Sequence, residues 1–228
     1  MHMERESTML VGERMSHPVI SIPPNIPIVD ALNLMKRAHI RRTPVIKDGK
    51  LVGIISDKDL LNASPSPATS LSVWEMNYVL TKILVKDVMS RNVLTVTEDT
   101  PIEEAARIMA DNKIGGLPVL REGRLVGIIT ETDLFKIFLE LMGARELGVR
   151  VTAILRDEMG KLAQLTQAIT LAGGNFIAIG QFFGDDPSTN RLVTFKVAGL
   201  EEQTVREIVQ PLALRIIDIR ICCQDSTV

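Results

Sequence analysis

The feature that most constrains this chain is a self-match. Residues 11–61 align without a gap onto residues 85–135 at a constant offset of 74, with 19 of the 51 paired positions identical. The matches include Met15/Met89, Pro27/Pro101, Ala31/Ala105, Met35/Met109, Pro44/Pro118, Gly49/Gly123, Gly53/Gly127 and Asp59/Asp133. A match in fixed register over this length marks two copies of one structural unit, so any fold must build the same object twice.

Each copy parses alike. A short β-branched run (19–22; 93–96) precedes Pro27 or Pro101, which opens a helix. That helix carries apolar residues at helical spacing: Ile28, Ala31, Leu32 and Met35 in the first copy, Ile102, Ala105, Ala106 and Met109 in the second. Two strands follow, joined by Asp48-Gly49 or Glu122-Gly123, the dipeptides that favour a tight hairpin turn. The second strand, Leu-Val-Gly-Ile-Ile in both copies, is uniformly apolar and reads as buried on both faces. It runs into Ser56-Asp57-Lys58-Asp59 or Thr130-Glu131-Thr132-Asp133, each opening another helix.

The repeat resembles the CBS domain, and the tandem pair resembles a Bateman module. The features that carry the likeness are the element order, the Pro-Val of the middle strand, and Gly-Ile-Ile-[Ser/Thr]-x-x-Asp, each present twice. The resemblance implies a pseudo-twofold module with clefts that take adenosine compounds: AMP, ADP, ATP or S-adenosylmethionine. Carried over by position, the ribose carboxylates correspond to Asp59 and Asp133 and the hydroxyls to Ser56 and Thr130. The pocket walls correspond to Ser21 with Thr43, Pro44 and Val45, and to Thr95 with Leu117, Pro118 and Val119.

The chemistry of these residue types is consistent with that role. A hydroxyl at a strand-to-helix junction, with the helix's free N–H groups beside it, suits an anion. A carboxylate three residues on can accept two hydrogen bonds from a vicinal diol. The same Ser/Thr-x-x-Asp spacing also builds a capping box that satisfies the helix's own N–H groups, and the two roles can coexist because they use different lone pairs. The copies differ where the first has His39-Ile40-Arg41-Arg42 and the second Lys113-Ile114-Gly115-Gly116. Guanidinium groups fork onto phosphate oxygens, so a polyphosphate is expected to lean on Arg41 or Arg42; the alternative is surface charge beside a turn.

Between the copies, 62–70 reads as a polar linker rich in Pro and Ser, and 71–84 as an amphipathic helix carrying the single Trp and the single Tyr. After a helix ending near Gly148 the pattern becomes βαββαβ: a strand from Val149, a helix capped by Asp157 with Leu162, Leu165, Ile169 and Leu171 on its apolar face, and a stop at Gly173-Gly174. Strands 175–184 and 191–199 flank a polar turn, and a short helix stopped by Pro211 leads to the last strand. The fold class is α+β: two CBS repeats (β-α-β-β-α) at 11–61 and 85–138, a linker and helix at 62–84, and a ferredoxin-like unit at 149–223.

That last unit resembles the ACT domain on Gly160, Leu162, Gly173 and Asn175, with Met159 in place of a usual Pro and Phe176 in place of Ile. The resemblance implies edge-to-edge pairing and an amino-acid site near Asp157, Glu158, Met159, Gly160 and Asn175, or pairing alone. The order CBS–CBS–ACT resembles the acetoin-utilisation (AcuB) family, which implies a regulator in acetoin or central carbon metabolism.

Composition sets the remaining expectations. A net charge of −2 over 228 residues, with one Trp, one Tyr and six Phe, gives neither the field nor the rings that a nucleic-acid surface needs. Adjacent Cys222 and Cys223 are badly placed for a disulfide and point to a reducing compartment. With no apolar run long enough to cross a bilayer, the expectation is a cytoplasmic protein that leaves membranes alone. Three histidines at 2, 17 and 39 have no ligand spacing and there is no nucleophile–base set, so neither an enzyme nor a metal site is expected. The protein reads as a sensor that carries no cofactor, takes an adenine nucleotide as regulatory ligand, and acts as a homodimer or higher homo-oligomer on a separate protein effector. The alternative is an amino-acid-responsive subunit whose CBS pair is structural or takes S-adenosylmethionine.

Overall fold

A computed structural model describes residues 9–63, 80–183 and 189–222. Residues 64–70 of the expected linker and the Trp-bearing part of the helix at 71–84 fall outside the described residues, as do Cys223 and most of the polar turn after Phe183; Asn62 belongs to a helix and not to the linker. The chain forms two compact units, Met1–Leu134 and Phe135–Val228.

In the first unit the two copies build matching sets of elements. Copy one has α1 (Val11–Arg14), α2 (Ile28–Arg37), β1 (Arg42–Lys47), β2 (Lys50–Ser56) and α3 (Asp57–Asn62). Copy two has α4 (Val85–Val88), α5 (Ile102–Asn112), β3 (Gly116–Arg121), β4 (Arg124–Thr130) and α6 (Glu131–Leu141). The hairpins β1–β2 and β3–β4 are antiparallel, each with a register shift at the same place, Val45/Ile46 and Val119/Leu120. Their turns need positive φ at both central residues: 51° and 75° at Asp48-Gly49, and 49° and 77° at Glu122-Gly123. The β-branched runs before each proline form single parallel bridges, Ile22↔Val45 and Val96↔Val119, instead of full strands. Pro27 and Pro101 stand at the N-cap, one position earlier than a first-turn proline.

The copies are not closed objects: each lends its opening segment to the other. Val11 and Gly12 donate backbone hydrogen bonds to Thr100 and Glu98, and Ser16 bridges Ile128. Reciprocally, Val85 and Lys86 donate to Ile26 and Pro24, and Ser90 bridges Ile54. Val85 and Met89 therefore belong to the core of copy one, with Ile22, Ile28, Met35, Val45 and Leu60. Gly53 and Gly127 exist for this exchange. A Cβ on Gly53 would meet the Met89 sulfur at 2.5 Å, and one on Gly127 would collide with the Met15 sulfur.

The apolar helix faces are buried as their spacing predicts, with Ile28, Ala31 and Met35 matching Ile102, Ala105 and Met109. The Leu-Val-Gly-Ile-Ile strands are not buried on both faces throughout. Leu51 and Val52 are half-buried, as are Leu125 and Val126, because two-stranded hairpins leave an open edge.

The second unit contains β5 (Gly148–Arg156), α7 (Lys161–Leu171), β6 (Asn175–Phe183), β7 (Asn190–Ala198), α8 (Glu202–Val209) and β8 (Arg215–Cys222). Its antiparallel sheet has the order β6-β7-β5-β8. Leu165 and Ile169 of α7 and Val205 and Val209 of α8 close over Val151, Phe195 and Val197. Leu171 is 80 % exposed, so it leaves the expected apolar face. Asp157 does not cap α7; Gly160, at φ 84°, is the N-cap, and Asp157 instead pairs with Arg191 at 2.8 Å. Gly173, at φ 91°, ends α7, with Gly174 N–H donating to Ile169 O at 3.0 Å.

Candidate functional site

The first Ser/Thr-x-x-Asp motif folds as a full capping box, and the second makes the same bonds onto its aspartate. Ser56 donates to Asp59 Oδ2 from its backbone N–H at 2.8 Å and from its hydroxyl at 2.7 Å, and Asp59 N–H returns a bond to Ser56 Oγ at 3.2 Å. In the second copy Thr130 donates to Asp133 Oδ2 from its N–H at 2.9 Å and its hydroxyl at 2.7 Å. In the first box both bonds end on Oδ2, which leaves Asp59 Oδ1 as the oxygen a diol can address. The cap and a ligand role are thus compatible in geometry.

Around Asp59 the first unit opens into a cavity of about 580 Å³, within the range of small-molecule sites. One wall is copy one: Ile54, Ile55, Ser56, Lys58 and Asp59. The other is copy two: Ser90 and Asn92–Leu94 from the exchanged segment, Asn112–Gly116 before β3, and Glu131. The motif of one copy therefore faces the pre-strand segment of the other, which linear reading could not show.

Arg42 enters the same cavity from copy one, with its side chain 21 % exposed and 3.9 Å from the Glu131 carboxylate. Burial lowers the basicity of its guanidinium, while Glu131 and then Asp57 act to raise it. Arg41 does not line this cavity; its side chain is exposed and its carbonyl accepts from Asp57 N–H at 2.9 Å.

The residues carried over as pocket walls distribute differently. Thr43, Pro44, Leu117 and Pro118 are buried in β1 and β3, and the Thr43 hydroxyl donates to Ile20 O at 2.6 Å. They shape the sheet from beneath and do not line the Asp59 cavity. Ser21 and Thr95 are exposed and line a second, wider cleft of about 1260 Å³ beside the turns Asp48-Gly49 and Glu122-Gly123. Among the cavity residues missed from sequence are Lys58, Asn92, Leu94, Asn112, Lys113 and Glu131. For Glu131 a signal existed, since it stands at the offset of Asp57.

In the second unit the five suggested ligand residues do not gather. Glu158 pairs with Arg156 at 3.6 Å and Lys161 at 3.7 Å, and Met159 is fully exposed. Arg156 is opposite Asn190 and Asn175 opposite Ala198, so Asp157–Gly160 and Asn175 lie at opposite ends of the sheet. At about 3.3 Å per residue that is roughly 25 Å. Within one chain they cannot contact one small ligand.

Among the described residues no group of three His, Cys, Asp or Glu is placed to hold a metal, and no helix is long and apolar enough to cross a membrane.

A duplicated β-α-β-β-α module with exchanged openings and a cleft between its copies defines the class. The CBS domain profile matches residues 11–66 and 85–140. A CBS domain-containing protein of Dictyostelium discoideum is 34% identical over 136 residues, spanning 59% of this chain and 94% of the relative. This chain belongs to the CBS domain proteins. Among solved structures, one described as an acetoin utilization protein (AcuB) from Vibrio cholerae is 31% identical, covering 60% of this chain and 97% of its own at a TM-score of 0.49. CBSX2 in complex with AMP is 30% identical, covering 57% of this chain and 96% of its own, also at 0.49.

Proposed function

We propose that the protein is a non-catalytic regulator whose CBS pair binds an adenine nucleotide, with occupancy shifting the balance between arrangements of a homodimer that acts on a protein effector. The observation that carries this reading is the Asp59 cavity, where a carboxylate for the ribose diol and a guanidinium for phosphate line one opening with the Ile54-Ile55 strand end and the Ile114–Gly116 backbone. The coupling needs only a difference in nucleotide affinity between two arrangements.

The second unit fits the reading as a ferredoxin-like, ACT-like dimerisation element. Its outer strands leave apolar side chains exposed, Phe182 and Phe183 on β6 and Ile217 and Ile221 on β8. A role in acetoin or central carbon metabolism rests on the resemblance of domain order.

The test is a thermal-shift screen with AMP, ADP, ATP and S-adenosylmethionine. A ligand that binds only the folded state must raise Tm, by an amount that grows with its concentration. The expected result is a rise with a nucleotide that Asp59→Asn removes; unchanged melting with all four contradicts the reading.

A further inference from the structure

The two copies share a scaffold and carry opposite charge. Residues 11–61 hold eight Lys and Arg against five Asp and Glu, while residues 85–135 hold six against nine. The chain is nearly neutral only because the two halves of its first unit cancel. The difference is not spread evenly. At the hairpin turns the signs repeat, as Lys47/Arg121, Asp48/Glu122 and Lys50/Arg124.

On the first helix of each copy the signs part. Helix α2 turns Ile28, Ala31 and Met35 into the core, which leaves Asn33, Lys36 and Arg37 on its outward side. The equivalent positions on α5 are Arg107, Ala110 and Asp111, with exposed Glu103 one turn before them. Asp30 and Glu104 are equivalent and of like sign, so they add nothing to the contrast. Arg107 is engaged within its own helix, bonding Glu104 at 2.6 Å and Asp111 at 3.0 Å. The outer side of α5 is therefore net negative where that of α2 is net positive, and Arg37 and Asp111 occupy one scaffold position with opposite signs. Leu61 on α3, which packs beside α2, and its equivalent Phe135 on α6 are 54 % and 68 % exposed. Each motif helix thus leaves an apolar side chain in water.

Two faces of the same shape and opposite sign fit each other, and a second copy of this chain supplies both. Two chains related by a twofold axis can meet in two directions. With like copies facing, Lys36 and Arg37 meet their own counterparts, as do Glu103 and Asp111, and the contact is repulsive. With copy one facing copy two, cations meet carboxylates, and the twofold axis makes that match twice. We infer that the outward faces of α2 and α5 form a self-complementary surface through which the chain pairs head to tail, copy one against copy two of a second chain. This rests on the homodimer of the functional reading and adds its direction and the residues that set it.

Carbodiimide cross-linking of the full chain tests the direction. The reagent joins an ammonium to a carboxylate in contact, and mixing unlabelled chain with chain labelled in heavy nitrogen marks links between chains by their mixed isotopes. The expected product joins Lys36 of one chain to Glu103, Glu104 or Asp111 of the other. Arg37→Asp should lower its yield about tenfold, and so should Asp111→Arg, because each exchanges two exposed ion pairs per dimer for two repulsions. A mixture of the two variants should restore the link, since a dimer of one with the other has opposite charges at both contacts; that recovery also shows that each variant is folded. Mixed-isotope links from Lys36 to Asp30 or Asp57, or a yield that Arg37→Asp leaves unchanged, overturn the head-to-tail direction. A chain that sediments as a dimer with no Lys36 link between chains also overturns it and leaves the homodimer reading standing. A chain that sediments as a monomer removes the homodimer reading and this proposal with it.

Discussion

The two CBS copies share a scaffold and differ in what they show a ligand. Their hairpins have the same register shift, their turns nearly the same dihedral angles, and their helices bury the same three positions. At the entrance to the first hairpin strand, however, one has Arg41-Arg42 and the other Gly115-Gly116. Duplication fixes the fold twice, and the departure from symmetry marks the place where the two copies bring different residues to the Asp59 cavity. Identity between copies reports packing, and difference between them reports chemistry.

This comparison can be broken most forcefully in the core. Met35 and Met109 are equivalent and are buried at 1% and 3% exposure. Met35→Ala and Met109→Ala should each cost about 2–5 kcal/mol, read from urea denaturation. If only one copy tolerates the change, the scaffolds are not equivalent. Next in size is the exchange of opening segments. Gly53→Val and Gly127→Val force a side chain onto Met89 or Met15 and should each cost about 1–3 kcal/mol. A change without effect would mean that the crossed segments do not hold the pair together. Ser56→Ala removes a capping hydroxyl and should cost about 1 kcal/mol. Thr130→Ala removes the hydroxyl bond to Asp133 and should cost about 1 kcal/mol as well.

The smallest effect lies outside the pair. Asp218 on β8 is held below the usual carboxylate range by its hydrogen bond to Arg220 and by the nearby Arg150. Arg150 and Arg220 stand directly opposite each other across the β5–β8 ladder, so this carboxylate offsets their repulsion. Its contribution is present at neutral pH and lost as pH falls through the depressed native value, below the ordinary Asp range near 3.8. Asp218→Asn should lower stability slightly at neutral pH and flatten the acid side of the pH–stability profile, so that variant and wild type converge as pH falls below the ordinary Asp range.

Much of the fold was legible because its signals are local. Asp48-Gly49 and Glu122-Gly123 demand hairpin turns, Pro27 and Pro101 mark helix starts, and Gly173-Gly174 terminates α7 whatever the rest of the chain does. The capping boxes were also legible, since three-residue spacing suffices to form them. What escaped depends on contacts between distant residues. Nothing near Val85 reveals that it packs on Ile26, and nothing in Gly115 reveals the arginine above it. Thr43 and Pro118 suggested a pocket wall, but both are buried against the segment that precedes their own helix, Thr43 donating to Ile20 O and Pro118 O accepting from Val96 N–H. Asp157 looked like a helix cap, yet Arg191 on a neighbouring strand offered its carboxylate a stronger partner.

The central claim is that the cavity beside Asp59 seats an adenine nucleotide. A crystal structure of the full chain grown with ADP tests it most directly. The account predicts ADP in that cavity, its ribose diol on Asp59 Oδ1 and a phosphate oxygen within hydrogen-bond distance of the Arg42 guanidinium in place of Glu131. ADP seated only in the wide cleft beside Ser21 and Thr95, or crystals with no ADP beside Asp59, would contradict it.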